Sequence, residues 1–127
     1  KLPAFTAGFE LGVTALIREG RTASRYMALP KFPKITQDIT LKVPAEVAYR
    51  ELYDFVWGEI EKREMGHTLP KLAPLTIFQR EGDTGHKQIT FRLTMASYER
   101  TMQDAEVAKL LDAVTAAARE KFGAERA

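Results

Sequence analysis

Residues 88–95 constrain the fold more than any other part of the sequence. Apolar and polar residues alternate there without exception. The two sets point to opposite sides of a strand, with Ile89, Phe91, Leu93 and Met95 on one side and Gln88, Thr90, Arg92 and Thr94 on the other. This pattern is typical of an antiparallel strand with one face on a core and one face exposed. The sequence therefore predicts a sheet that is covered on a single face.

Three more strands are predicted around it. Residues 39–43 alternate in the same way and predict the first strand. After a helix-breaking stretch at 66–70, residues 75–78 predict a second, and the turn-forming residues 81–85 join it to the strand at 88–95 as a hairpin. A short last strand is expected within 124–127.

Two helices are predicted to cover the apolar face. The first lies within residues 45–64, with Pro44 in its opening position. The second follows Thr101, which stands three residues before Asp104 as in a capping box, and ends at Gly123. The order strand, helix, strand, strand, helix, strand predicts an α+β fold. The predicted fold is a ferredoxin-like split βαβ sandwich, an antiparallel sheet with two helices on one face and the other face open.

The open face is predicted to carry hydroxyl, amide and cationic side chains around one aromatic ring. Its members are Thr40, Lys42, Thr76, Phe78, Arg80, Gln88, Thr90, Arg92 and Thr94. A ring for stacking among hydrogen-bond donors is what a surface for unpaired bases needs. An ordinary solvated sheet face has the same composition, and the pattern alone favours that interpretation.

Residues 1–28 have a different character from residues 29–127. Phe9, Leu11 and Val13 alternate like one short strand, residues 14–18 suit a helical turn, and a basic linker follows. We expect 1–28 to be the closing strand of a preceding core-like domain plus this linker, and 29–127 to be one domain. Because the chain begins with Lys1 rather than methionine, a longer protein is expected.

Composition excludes several kinds of site. With no cysteine in 127 residues, neither a disulfide framework nor a thiolate metal site is possible. His67 and His86 have no neighbouring ligands at metal spacing, so no metal site is predicted. No catalytic residue is predicted either, because the sequence holds no phosphate loop and no nucleophile with a base at a recognisable spacing.

No apolar run is long enough to span a membrane, and a cytoplasmic location is expected.

A second stripe of the first helix carries Tyr49, Tyr53 and Trp57. Three interpretations stay open for it: the edge of the core, a docking surface for another domain, or a stacking surface for bases. Aromatic residues at helical spacing are most often packing residues, so the core edge comes first.

Several segments line up together with one known family. They are residues 32–39 (Phe-Pro, then Asp-Ile), 91–94, 99–107 (which opens Glu-Arg-Thr-x-x-Asp) and 122–125. From about Leu29 onward the chain resembles the ferredoxin-fold anticodon-binding domain that closes the β subunit of bacterial phenylalanyl-tRNA synthetase. The same domain closes the single-chain mitochondrial enzyme, which is the nearest competitor within the family.

The resemblance implies a binding role on the anticodon stem-loop of phenylalanine tRNA, with aminoacylation performed elsewhere in the ligase. Thr76 and Phe78 stand where the family has a base-reading aspartate and a stacking tyrosine. Gln88 stands where the family has a serine, and Gln37 where it commonly has an arginine. The expected tRNA-binding residues are Thr76, Phe78, Arg80, Lys87, Gln88, Arg92, Lys42 and Gln37.

The family also implies partners and cofactors. An α subunit in a heterotetramer is expected, and ATP and Mg belong to the full enzyme, with no cofactor in this stretch of chain. The main alternative is a structural or protein-docking ferredoxin-like module that has lost anticodon reading. A small enzyme on the same fold, such as an acylphosphatase, is weaker because no phosphate-cradling loop follows the first strand.

Overall fold

The computed structural model describes residue 6 and residues 8–19, 28–63 and 65–127. The elements follow in the order α1 (Val13–Glu19), β1 (Ile35–Pro44), α2 (Tyr49–Lys62), β2 (Thr68–Phe78), β3 (His86–Ser97), α3 (Asp104–Phe122) and β4 (Glu125–Arg126). Among the described helices, none has both the length and the hydrophobicity needed to cross a membrane.

The four strands form one antiparallel sheet in the order β2-β3-β1-β4. Helices α2 and α3 both pack on one face, and the predicted ferredoxin-like α+β fold is confirmed. The core lies between the helices and the alternating apolar residues of the strands. Its largest fully buried members include Ile39, Leu41, Val43, Leu52, Val56, Ile89, Phe91, Leu93, Leu111 and Val114.

Strand β2 begins seven residues earlier than predicted, at Thr68 rather than at Leu75. Pro70 and Pro74 concealed this part of the strand, because proline cannot donate to a ladder. They are tolerated here because β2 is an edge strand with only one neighbour. The register shifts between Pro74 and Thr76, which leaves Leu75 as the extra residue of a bulge.

Both helices begin later than predicted. Pro44 is the last residue of β1 rather than the first of a helix, and α2 starts at Tyr49 after a turn. The N-cap of α3 is Gln103 and not Thr101, since the Glu106 carboxylate accepts a hydrogen bond from the Gln103 N–H at 2.9 Å. The predicted helix end is confirmed at Gly123, whose φ of 64° is the left-handed conformation that favours glycine.

The predicted strand at Phe9, Leu11 and Val13 is not formed in this structure. Phe9 and Leu11 lie outside regular secondary structure, and Val13 begins α1, which confirms the helical turn. A lone strand has no neighbour to satisfy its backbone groups, so local hydrogen bonding decides the conformation here. The linker prediction falls mostly on residues 20–27, which lie outside the described residues. The assignment of 1–28 to a preceding domain stays a prediction.

Candidate nucleic-acid interface

The face of the sheet opposite the helices carries the predicted polar set in rows across three strands. Thr76 and Thr40 both pair with Thr90, and in the next row Phe78 and Lys42 both pair with Gln88. Residues directly opposite each other share one face of a sheet. The structure therefore brings these predicted site residues together, and we call this surface the open face.

The hairpin end of the open face holds a recess of about 170 Å³. Phe78 and Gln88 line it from two strands, and Lys42 and Arg80 add two cations. Phe78 is 56% exposed and lines the recess, so its ring is accessible to a planar ligand. We call this concavity the hairpin recess.

Asp83 shapes the hairpin that forms one wall of the recess. Its Oδ1 accepts hydrogen bonds from the N–H groups of Gly85 at 2.9 Å and His86 at 3.1 Å. These two bonds lower the pKa of the Asp83 carboxyl below its ordinary value. Gln79 Nε2 adds a bond of 2.8 Å to the Asp83 carbonyl. The turn that positions Arg80 is therefore held by local hydrogen bonds.

Arg92, a predicted phosphate-binding residue, lies in the middle of the open face but is already paired. Its Nε and Nη2 each donate to a carboxylate oxygen of Asp38 at 2.8 Å. The hydrogen bond from Arg92 lowers the pKa of Asp38, and its charge acts in the same direction. Asp38 in turn raises the pKa of Arg92. The middle of the face is therefore close to neutral.

Two of the predicted site residues lie on the helix-facing side of their strands, although Lys87 also lines the hairpin recess. Gln37 and Lys87 occupy the helix-facing positions of β1 and β3, which alternate with the open-face positions. Gln37 Nε2 donates to the Asp104 carbonyl at 3.0 Å, and Lys87 Nζ donates to the Ala45 carbonyl at 2.8 Å. Arg126 is likewise turned to the helices, where it pairs with Asp112.

The aromatic stripe of α2 lies at the edge of the core. Tyr49 and Tyr53 place their ring centroids 6.0 and 6.2 Å from that of Phe91, and Trp57 also packs against the core. The Tyr53 hydroxyl donates to the Leu72 carbonyl at 3.4 Å. Packing accounts for these positions, and a docking role for them stays a prediction.

The Glu-Arg-Thr motif has a structural role on the helix side. Arg100 donates to both carboxylate oxygens of Glu106, at 2.9 and 2.5 Å. Together with the Gln103 N–H, Arg100 lowers the pKa of Glu106 to about 2. Ser97 lies just before this motif, and its hydroxyl accepts a hydrogen bond from the backbone N–H of Glu99. These contacts fix the start of α3.

Sequence reasoning missed Asp38, Asp83 and Lys71 as components of this face. The roles of Asp38 and Lys71 depend on which residue lies opposite on β3, and no local pattern reports that register. Asp83 lies in the turn that residues 81–85 predicted, but that turn signal did not indicate that Asp83 would line a recess. In the described part of the chain, no group of three or more histidines or carboxylates is placed to hold a metal ion.

A family model and individual relatives of known name point to the same family for this chain. The family model described as "Ferredoxin-fold anticodon binding domain" matches residues 30–126. The chain is 34% identical over 119 residues to the phenylalanine–tRNA ligase β subunit of Geobacillus kaustophilus, and 33% identical over 121 residues to that of Vibrio vulnificus. These alignments cover 91% and 94% of this chain. The chain spans about 14% of the length of these relatives.

Proposed function

The chain belongs to the family of ferredoxin-fold anticodon-binding domains, and we propose that it serves a phenylalanine–tRNA ligase β subunit by binding the anticodon stem-loop of phenylalanine tRNA. The observation that supports this proposal is the row of Phe78, Gln88 and Lys42 across the hairpin recess. It combines a stacking ring, an amide and a cation within one concave surface.

Each group has a distinct task in this proposal. The exposed Phe78 ring stacks on an unpaired base of the loop. The Gln88 amide both donates and accepts hydrogen bonds at a base edge, and the Thr76 hydroxyl does the same with less reach. Lys42 and Arg80 meet the phosphates on either side. Without the aspartate that the family has at the Thr76 position, base discrimination is weaker than a carboxylate would provide.

The remaining functional assignments follow from the relatives and are part of the same proposal. The domain is proposed to act within a ligase whose aminoacylation site, with its ATP and Mg, lies outside this chain. An α subunit in a heterotetramer is the proposed partner, and the cytoplasm is the proposed location. The task of this domain is then binding rather than bond making.

The test is a titration of the chain with three RNAs at two salt concentrations. The RNAs are phenylalanine tRNA, a version with its first anticodon base changed, and an unrelated tRNA. We expect phenylalanine tRNA to bind most tightly and its affinity to fall with salt. Equal binding of all three RNAs would contradict anticodon recognition.

Phe78→Ala has a closely matched control on the same strand. Ile77 is 57% exposed and Phe78 56%, so the two match in exposure, but Ile77 points to the opposite side of β2. We expect Phe78→Ala to weaken binding of phenylalanine tRNA by about 5- to 150-fold, the usual range for one stacked base. Ile77→Ala should bind like the unchanged chain. Equal affinities of the two variants would overturn the proposal.

A further inference from the structure

The end of the open face opposite the hairpin holds a second concavity. Residues 29–34 pass over the ends of β2 and β3 and leave a groove of about 370 Å³ between themselves and the sheet. Phe32 and Leu29 give it an apolar wall, and Lys34 and Lys71 line it as well. The Tyr98 hydroxyl holds the incoming chain by a 2.7 Å hydrogen bond to the Ala28 carbonyl. We call this concavity the crossing groove.

The crossing groove and the hairpin recess lie on the same face. Lys71 pairs with Thr94. Thr94 lies on the same side of β3 as Arg92, Thr90 and Gln88, because every second residue of a strand points the same way. From Gln88 to Thr94 the strand rises by about 20 Å, at roughly 3.3 Å per residue. The two concavities therefore stand at opposite ends of one continuous surface.

The positive charges of the open face that form no ion pair lie at its two ends. Lys34 and Lys71 in the groove, like Lys42 and Arg80 in the recess, form no ion pair with any residue that the structure describes. In the middle, Asp38 neutralises Arg92. A ligand with negative charges along its length is complementary to two separated cationic ends. Among the residues that the structure describes, no carboxylate lines the groove to repel such a ligand.

We propose that the crossing groove is a second RNA-binding subsite, so that one RNA strand runs along the whole open face. This inference rests on the proposed function and extends it. Lys34 and Lys71 contact a phosphate, and the apolar wall with Phe32 packs against the adjoining nucleotide. A path of this length suits roughly four nucleotides, the lower end of the site sizes of single-strand-binding folds.

The test uses RNA length to separate the two subsites. Oligouridines of about two and about eight nucleotides are titrated, because only the longer one reaches from the recess to the groove. The groove variant is Lys34→Ala with Lys71→Ala. The control removes the same charge from the helix side with Lys109→Ala and Lys121→Ala, both on α3.

We expect the groove variant to bind the longer oligouridine about three- to tenfold more weakly than the control variant does. Its plot of log affinity against log salt should be less steep by about 0.7 to 1.4, which corresponds to one or two lost phosphate contacts on a single strand. The shorter oligouridine should bind both variants alike.

Two outcomes would overturn the inference without touching the proposed function. One is a groove variant that matches the control at both lengths while Phe78→Ala still weakens binding; the groove would then serve something other than RNA. The other is an equal loss at both lengths, which would indicate a general charge effect. If Phe78→Ala also fails to weaken the binding of phenylalanine tRNA, the proposed function itself fails.

Discussion

The two faces of the sheet are made from alternate residues of the same strands, yet they differ in what covers them. Ile89, Phe91 and Leu93 are fully buried under the helices. Arg92, which stands between Phe91 and Leu93, keeps 47% of its side chain exposed. One strand therefore contributes to the core with one set of residues and to the binding surface with the other. We expect stability and RNA affinity to respond to different substitutions.

The largest effect is expected from the centre of the helix-covered face. Phe91 is fully buried and contacts the rings of Tyr49 and Tyr53. Phe91→Ala should lower the free energy of unfolding by about 3–5 kcal/mol, because it removes a large apolar side chain and leaves a cavity. Urea denaturation measures this change. A loss below about 1 kcal/mol would show that the core does not depend on this face as described.

The second prediction concerns a polar contact on the helix side. Arg100 and the Gln103 N–H hold the pKa of Glu106 at about 2, below its ordinary value of 4.5. A carboxyl with a lowered pKa stabilises the fold above its unfolded pKa, and this contribution is lost as the pH falls from about 4.5 toward 2. Glu106→Gln should therefore unfold more easily than the unchanged chain at pH 7, and the difference should close across that window.

Thermal unfolding between pH 7 and pH 2 checks this expectation. Glu120→Gln is the control, since Glu120 is an exposed residue near the other end of α3. The control should unfold like the unchanged chain at pH 7, and RNA affinity at pH 7 should be unchanged in both variants. A gap between Glu106→Gln and the unchanged chain that persists at the lowest pH would mean that the ion pair is not its cause.

Local periodicity explains why much of the fold was predictable. The alternation at 88–95 specifies which residues face the core whatever the neighbouring strands do, and Phe91 is buried as predicted. The end of α3 was predictable for the same reason, because Gly123 acts through its own backbone conformation. Such signals depend on a few adjacent residues only.

Register could not be predicted in this way. Lys71 and Phe78 share the open face although one position is odd and the other even, because the bulge at Leu75 changes the alternation along β2. The pairing of Arg92 with Asp38 depends on contacts between residues that are 54 positions apart. A sequence pattern identifies a cation, but the register decides whether that cation is already paired.

A third prediction uses the paired Arg92 to change affinity rather than stability. Asp38→Asn leaves the arginine without its carboxylate, so Arg92 becomes available to a phosphate. We expect tighter binding of phenylalanine tRNA and a salt slope that is steeper by about 0.7 to 0.9, the value of one added phosphate contact. Arg92→Ala should do the opposite, because it leaves the Asp38 charge facing the RNA.

The matched control for Asp38→Asn breaks a second Asp–Arg pair, on the other face of the sheet. Asp112→Asn likewise frees an arginine, Arg126, but this pair lies between α3 and β4 on the helix side. Titration at two salt concentrations should show no change in the slope for Asp112→Asn. If both variants bind RNA more tightly, net charge rather than position on the open face controls affinity.

The smallest effect is expected from the row of threonines across the open face. The Thr40 and Thr90 hydroxyls lie 3.0 Å apart, and both residues are half-buried. Thr90→Val keeps the β-branched shape, and water can satisfy the hydroxyl of Thr40 that is left. The free energy of unfolding should therefore fall by less than about 1 kcal/mol in urea denaturation. Thr94→Val, which removes the longer 3.3 Å contact with Thr36, should cost no more. A larger loss would mean that the threonine row holds the strands together. In that case, residues of the open face would serve folding as well as binding, and substitutions there would not report on RNA affinity alone.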